Sequence, residues 1–159
     1  MTFDEFAIDP RCLKVLNAQE IVEPTPIQAQ AIPVALEGND VLAIAQTGTG
    51  KTLAFVLPAL THLAQGPKKG VAMLVLTPTR ELAIQVNAVI EPFAKAVGLR
   101  SVCIYGGAGM VPQEQALRQG RSIVVATPGR LLDHVGRGNL RFDKLSILDS
   151  QFDSASGVL

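Results

Sequence analysis

The sequence predicts an α/β domain in which a mostly parallel sheet carries helices on both faces. Short apolar runs alternate with helical stretches, and capping or turn residues mark each junction. The runs are apolar throughout rather than alternating, which suits strands covered on both sides. One of them leads through a Gly-rich loop straight into a helix start, the setting that a phosphate-binding loop requires.

The elements follow in order. Asp9-Pro10 reads as the N-cap and first residue of a helix bearing Leu13, Val15 and Leu16. Thr25-Pro26 opens a second helix through Ile27, Ala31, Val34 and Ala35. Gly38-Asn39-Asp40 is a turn, and it releases the predicted strand Val41-Leu42-Ala43-Ile44-Ala45. A loop at 46–50 precedes a helix from Lys51, and a Gly/Pro/Lys linker at 66–70 follows. Strand 71–76 then leads to a helix from about Thr79 to Ala96. Strand 101–105 leads to Gly106-Gly107 and a short helix near 112–119. Strand 122–126 leads to a helix opened by Thr127-Pro128, and strand 145–148 comes last. Pro58 and Pro92 fall inside predicted helices and are expected to bend or shorten them.

Composition bounds the reading. A chain of 159 residues, 48% of them hydrophobic and 18% charged, suffices for one well-buried domain rather than two. No apolar run approaches the roughly 20 residues that cross a bilayer, and the acidic start Met1-Thr2-Phe3-Asp4-Glu5 has no secretory core. A cytoplasmic location is the expectation. Cys12 and Cys103 form no CxxC pair and read as free, reduced thiols. His62 and His134 are isolated and receive neither a metal nor a catalytic role. Net charge is zero, yet residues 1–60 carry a balance of −4 and residues 95–144 one of +5. The second half of the chain is therefore either the side that meets a polyanion or an ordinary solvated surface.

The phosphate loop is the strongest single signal. It runs Ala45-Gln46-Thr47-Gly48-Thr49-Gly50-Lys51-Thr52, with Ala45 where the P-loop pattern has its first glycine. Gly48 and Gly50 let backbone N–H groups converge and admit bulky phosphate oxygens. The helix N-terminus adds partial positive charge. Lys51 has the reach for terminal phosphates, and Thr52 offers a hydroxyl to Mg²⁺.

Upstream, Glu20-Ile21-Val22-Glu23-Pro24-Thr25-Pro26-Ile27-Gln28 resembles the Q motif of DEAD-box RNA helicases, and Phe3 stands 17 positions before Glu20. Downstream, Pro78-Thr79-Arg80-Glu81-Leu82-Ala83 resembles that family's motif Ia. Gly106-Gly107 resembles its glycine doublet, and Thr127-Pro128-Gly129-Arg130 its motif Ib. The resemblance implies a RecA-like P-loop domain over 1–148 that binds ATP or ADP with Mg²⁺. It implies that Gln28 reads adenine, with Thr25 beside it and Phe3 stacked on the ring. It also implies that Pro78, Thr79, Arg80, Gly106, Gly107, Thr127, Pro128, Gly129 and Arg130 hold the sugar-phosphate backbone of RNA. Backbone contacts of that kind do not discriminate among bases.

The resemblance breaks at the acidic motif. Asp149-Ser150-Gln151-Phe152-Asp153 stands where the family has Asp-Glu-Ala-Asp. Asp149 takes the first, Mg²⁺-holding position, while Ser150 replaces the glutamate that positions water. A serine cannot accept that proton as a carboxylate does. Residues 149–159 thus read as a divergent tail, with the second helicase domain expected to be absent. The chain is expected to be the nucleotide-binding lobe of an ATP-dependent RNA helicase that lacks hydrolysis and unwinding. The alternative is a non-catalytic adenine-nucleotide and RNA-binding module. The family's sheet has a further strand between the phosphate-loop strand and the acidic one, so that slot is expected to be filled by the tail or, through self-association across an incomplete sheet, by a neighbouring chain, or else the sheet rearranges.

Overall fold

The computed structural model describes residues 1–44, 50–66 and 70–151. Six helices, α1 (Pro10–Ala18), α2 (Pro26–Leu36), α3 (Lys51–Leu63), α4 (Arg80–Ala96), α5 (Met110–Arg118) and α6 (Pro128–Gly136), surround four strands. These are β1 (Met73–Leu76), β2 (Ser101–Ile104), β3 (Ile123–Ala126) and β4 (Ile147–Ser150). The sheet order is β2-β3-β1-β4, and every pairing is parallel. The α/β class expected from the sequence is therefore observed.

The period-two geometry of each strand divides the core into two layers. Met73 and Val75 of β1 and Ile123 and Val125 of β3 join the larger cluster, built with α1, α3 and α4. Leu74 of β1 and Val124 and Ala126 of β3 join the smaller one with Ile104 and Leu131. All four residues of β3 are buried, which explains the unbroken apolar run Ile123-Val124-Val125-Ala126. The two cysteines are free; Cys12 is buried, and burial pushes both thiols up to about 11.

Local punctuation acts as the residue types dictate. The Asp9 carboxylate accepts from the Arg11 backbone N–H at 2.9 Å, with Pro10 as the first helical residue. The Asp9 N–H in turn donates to the Thr61 hydroxyl at 3.0 Å, tying the head of α1 to α3. Thr79 caps α4 by accepting from Leu82 N–H at 3.2 Å.

Three expectations need correction. Pro58 and Pro92 do not shorten their helices, since α3 and α4 run continuously through them. Pro58 is buried in the packed face of α3, where tertiary contacts offset the missing N–H. The last strand is Ile147–Ser150 rather than 145–148, because Ile147 pairs with Met73 and Ser150 with Leu76. Asp149 and Ser150 consequently belong to the sheet and not to a tail; residues 152–159 lie outside the described residues.

The third correction concerns the strand predicted at 41–45. Residues 41–44 form no strand, and Val41, Leu42 and Ile44 are 43%, 65% and 86% exposed. Between this segment and β4 lies an open groove of about 670 Å³, lined by Val41, Phe55, Pro58, Ile147 and Leu148 among others. An interior parallel strand is held by ladders on both sides, and among the described residues 41–44 has no strand beside it. Its apolarity alone does not hold it in a sheet. On the other bank, Ile147 N–H donates to Ala72 and Gln151 N–H to Leu76. Alternation along the ladder then turns the amides of Leu148 and Ser150 toward the open edge.

Because Ile44 is out in solvent, Ile44→Lys should leave the unfolding free energy in urea within about 0.5 kcal/mol of wild type. A loss of several kcal/mol would place this side chain in a buried strand.

Candidate functional site

The phosphate-loop helix is anchored from below by the Gln28 amide. Gln28 is 2% exposed, its Oε1 accepting from Thr25 N–H at 2.9 Å and its Nε2 donating to the Gly50 carbonyl at 3.0 Å. Gly50 caps α3 with φ +84°, in the left-handed region, and a Cβ there would collide with Gln28 Nε2. Glycine is thus required at position 50 both for its backbone and for its missing side chain. The Thr25 hydroxyl is buried beside this junction and has no partner among the described residues. Ala45, Gln46, Thr47, Gly48 and Thr49 lie outside the described residues, so the site begins for the structure at Gly50.

Lys51 and Thr52 open α3 and are half-buried. Lys51 lines the groove described above, and so does Asp149 of β4. Burial raises the Asp149 carboxyl from its ordinary value to about 6, against the opposing effect of a hydrogen bond from Gln151 Nε2 at 2.6 Å. Phe3 is placed elsewhere. It is buried in the larger core cluster with its ring edge-on to Phe6, the centroids 6.3 Å apart.

A second group of residues gathers where the strands end. The ladder carries one residue past β1 and β3, with Thr77 N–H donating to Ala126 and Thr127 N–H to Ile104. Three loops therefore emerge side by side along one edge. Pro78, Thr79 and Arg80 are exposed there, as are Gly106, Gly107, Pro128 and Gly129, while Thr127 and Arg130 are half-buried. The Arg80 guanidinium stacks over Tyr105 at 5.0 Å from the ring centroid, a favourable cation–π position. Gly107, with φ +86°, packs beneath that guanidinium. Arg130 turns inward, Nη1 donating to the Ala108 carbonyl at 2.9 Å and to Gln113 Oε1 at 3.1 Å.

The sequence of the chain matches a known family. A family model described as DEAD/DEAH box helicase matches residues 25–151. The chain belongs to the DEAD/DEAH box helicases. It is 43% identical over 158 residues to the ATP-dependent RNA helicase DDX42 of Homo sapiens, covering 97% of this chain and 17% of that protein. It is 46% identical over 154 residues to the ATP-dependent RNA helicase dbp2 of Emericella nidulans, 93% of this chain and 27% of that one. The probable ATP-dependent RNA helicase DDX46 of Danio rerio is 42% identical over 148 residues, 91% of this chain and 14% of that one. The chain thus spans less than a third of the length of these relatives.

In this DEAD/DEAH box domain Gln28, Lys51 and Asp149 lie about the head of α3 and β4, and the residues at 78–80, 106–107 and 127–130 lie along the strand-end edge. Sequence reasoning missed the side chains that join the edge together. Gln113 is buried, and so is His134, whose Nε2 lies 3.0 Å from Gln113 Oε1. Arg130 and His134 stand four residues apart, on one face of α6. That spacing was visible in the sequence, but their shared partner on α5 was not. Among the described residues no group of His, Cys, Asp and Glu could hold a metal by itself, and no helix is long and apolar enough to cross a membrane.

Asp149 sets a pH dependence of known sign. Its folded pKa of about 6 lies above the ordinary 3.8, so the folded state holds the proton more tightly than the unfolded chain. That contribution is complete below about pH 4 and is lost as pH rises through 6. Asp149→Asn should therefore match wild type near pH 4 and exceed it by about 2 kcal/mol near pH 8, read from urea unfolding. Parallel stability curves across that range would contradict the burial of this carboxyl.

Proposed function

We propose that this chain is the nucleotide-binding lobe of an ATP-dependent RNA helicase, and that it binds ATP or ADP with Mg²⁺ at the head of α3. The observation that carries the reading is the joint position of Lys51 and Asp149 on one groove. The braced Gly50 supports it, since the backbone there is shaped for close approach of another group. So does the Thr25 hydroxyl, buried without a partner among the described residues. In this reading residues 45–50 supply main-chain N–H groups to the phosphates, Lys51 neutralises their charge, and Thr52 and Asp149 hold the cation. Bound Mg²⁺ draws charge from the phosphate oxygens. Gln28 holds the Gly50 carbonyl, and its part in adenine recognition, with Phe3, belongs to the same proposal.

RNA lies along the strand-end edge, held by the loops at 78–80, 106–107 and 127–130. Helix heads and exposed glycine amides contact phosphate and ribose rather than bases, so binding is independent of sequence. Hydrolysis is absent or nearly so, because Ser150 stands next to Asp149 where a carboxylate would orient water. The chain then acts as a binding module within a cytoplasmic RNA helicase. Lys51→Ala should reduce binding of a fluorescent ADP analogue at least tenfold. Phosphate release from ATP with RNA present should be the same for wild type and this variant. Turnover well above the Lys51→Ala level would defeat the non-catalytic reading, and unchanged nucleotide affinity would defeat the site.

The open edge of β4 further favours self-association. Leu148 is 62% exposed there, beside backbone groups that have no ladder among the described residues. Sedimentation should show a concentration-dependent oligomer that Leu148→Lys disperses. A chain that stays monomeric at high concentration would refute this surface.

A further inference from the structure

Two of the three loops along the strand-end edge are tied together by a side chain that belongs to neither. Gln113, on α5, is 6% exposed. Its Nε2 donates to the Tyr105 carbonyl at 3.1 Å, immediately before the glycine doublet. Its Oε1 accepts from Arg130 Nη1 at 3.1 Å and faces His134 Nε2 at 3.0 Å, both on α6. The other His134 nitrogen lies 3.1 Å from Asn139 Nδ2, which also donates to Glu114 Oε1. Asn139 can only donate there, so His134 carries its proton on Nε2 and gives it to Gln113. Burial, with Arg130 as the next influence, lowers the His134 pKa, and the neutral ring fits this pattern.

An amide is the group this junction demands. It must donate to a carbonyl on one side and accept two N–H bonds on the other. A carboxylate has no proton for Tyr105, and a hydroxyl is too short. The consequence reaches the surface. Arg130 is only 14% exposed along its side chain, and it clips the Ala108 carbonyl to the head of α6. Arg80, stacked on Tyr105 and lying over Gly107, joins the third loop to the same unit.

We propose that Gln113 is a positioning residue for nucleic-acid backbone binding. It fixes the loop at 105–109 against the head of α6, so the exposed amides of both present one preformed surface to successive phosphates. This rests on the RNA-binding reading above. Prior ordering of the loops removes an entropic penalty that binding would otherwise carry, and Gln113 itself touches no phosphate.

Two variants separate the arms of this junction. Gln113→Met removes every polar contact at similar volume, and Gln113→Glu keeps the acceptor toward Arg130 and His134 but loses the donor toward Tyr105. Affinity for a labelled single-stranded oligouridylate, read by fluorescence anisotropy, should fall about tenfold in Gln113→Met. The dependence of affinity on salt should keep its slope, since no phosphate contact is lost. Affinity for a fluorescent ADP analogue should be unchanged. Amide exchange should accelerate at 105–109 and 127–130 in Gln113→Met, but only at 105–109 in Gln113→Glu, which carries the test should the methionine variant not fold. Oligouridylate affinity equal to wild type in both variants would overturn the proposal and leave the RNA reading standing. Parallel loss of RNA and ADP binding would also overturn it, as a general structural effect. Wild type without saturable RNA binding would remove both readings together.

Discussion

A parallel ladder obliges every strand to leave the sheet on the side opposite the one it entered. Here that constraint decides where chemistry collects. With β2, β3, β1 and β4 all running one way, the segments after Leu76, Ile104, Ala126 and Ser150 must surface along a single edge. Helices return the chain across the faces, burying Met73 and Val75 on one side and Leu74 and Val124 on the other. None of the motif residues at 78–80, 106–107 or 127–130 would be neighbours without this geometry. Parallel sheets place ligand sites at these carboxyl ends for the same reason.

The same constraint explains the weakest part of the structure. A parallel sheet is stable in its interior, where each strand is paired on both sides, and exposed at its ends. β4 is such an end, although its residues Ile147 and Asp149 are half-buried and its neighbour β1 is deep in the core. The apolar segment 41–44 stands across the groove from it without pairing. Side-chain chemistry suits this segment for a strand, and backbone partners are what it lacks. Strand formation is a two-body property, whereas a helix closes its own hydrogen bonds.

That difference also marks what the sequence revealed. Helix starts were legible because their signals are local: Asp9-Pro10, Thr25-Pro26, Thr79 and Thr127-Pro128 each precede the observed first turn. Strands with two paired neighbours, such as β3, were legible from apolarity alone. The register of β4 was not, because pairing with Met73 to Leu76 shifts it toward Asp149 and Ser150. In the candidate site, a glycine before α3 was legible from the Gly-rich run, but the Gln28 amide bonded to its carbonyl joins residues 22 apart in sequence. Arg130 was read from its motif as a contact for the RNA backbone. Its inward turn depends on Gln113, 17 residues earlier, and only the fold brings the two together.

Asp149 joins the sheet's geometry to its electrostatics. A carboxyl at the end of an edge strand would ordinarily be solvated and ionised, yet this one is pushed up to about 6 by burial. Its hydrogen-bond partner Gln151 is an amide that favours the charged form and only partly offsets desolvation. Such a group is held at the margin of ionisation, where a nearby positive charge has the greatest leverage. Lys51 lines the same groove, and a divalent cation between them would convert the unfavourable burial of a carboxylate into a coordination bond. The neighbouring Ser150 changes none of this, because holding a cation requires charge and activating water requires a base.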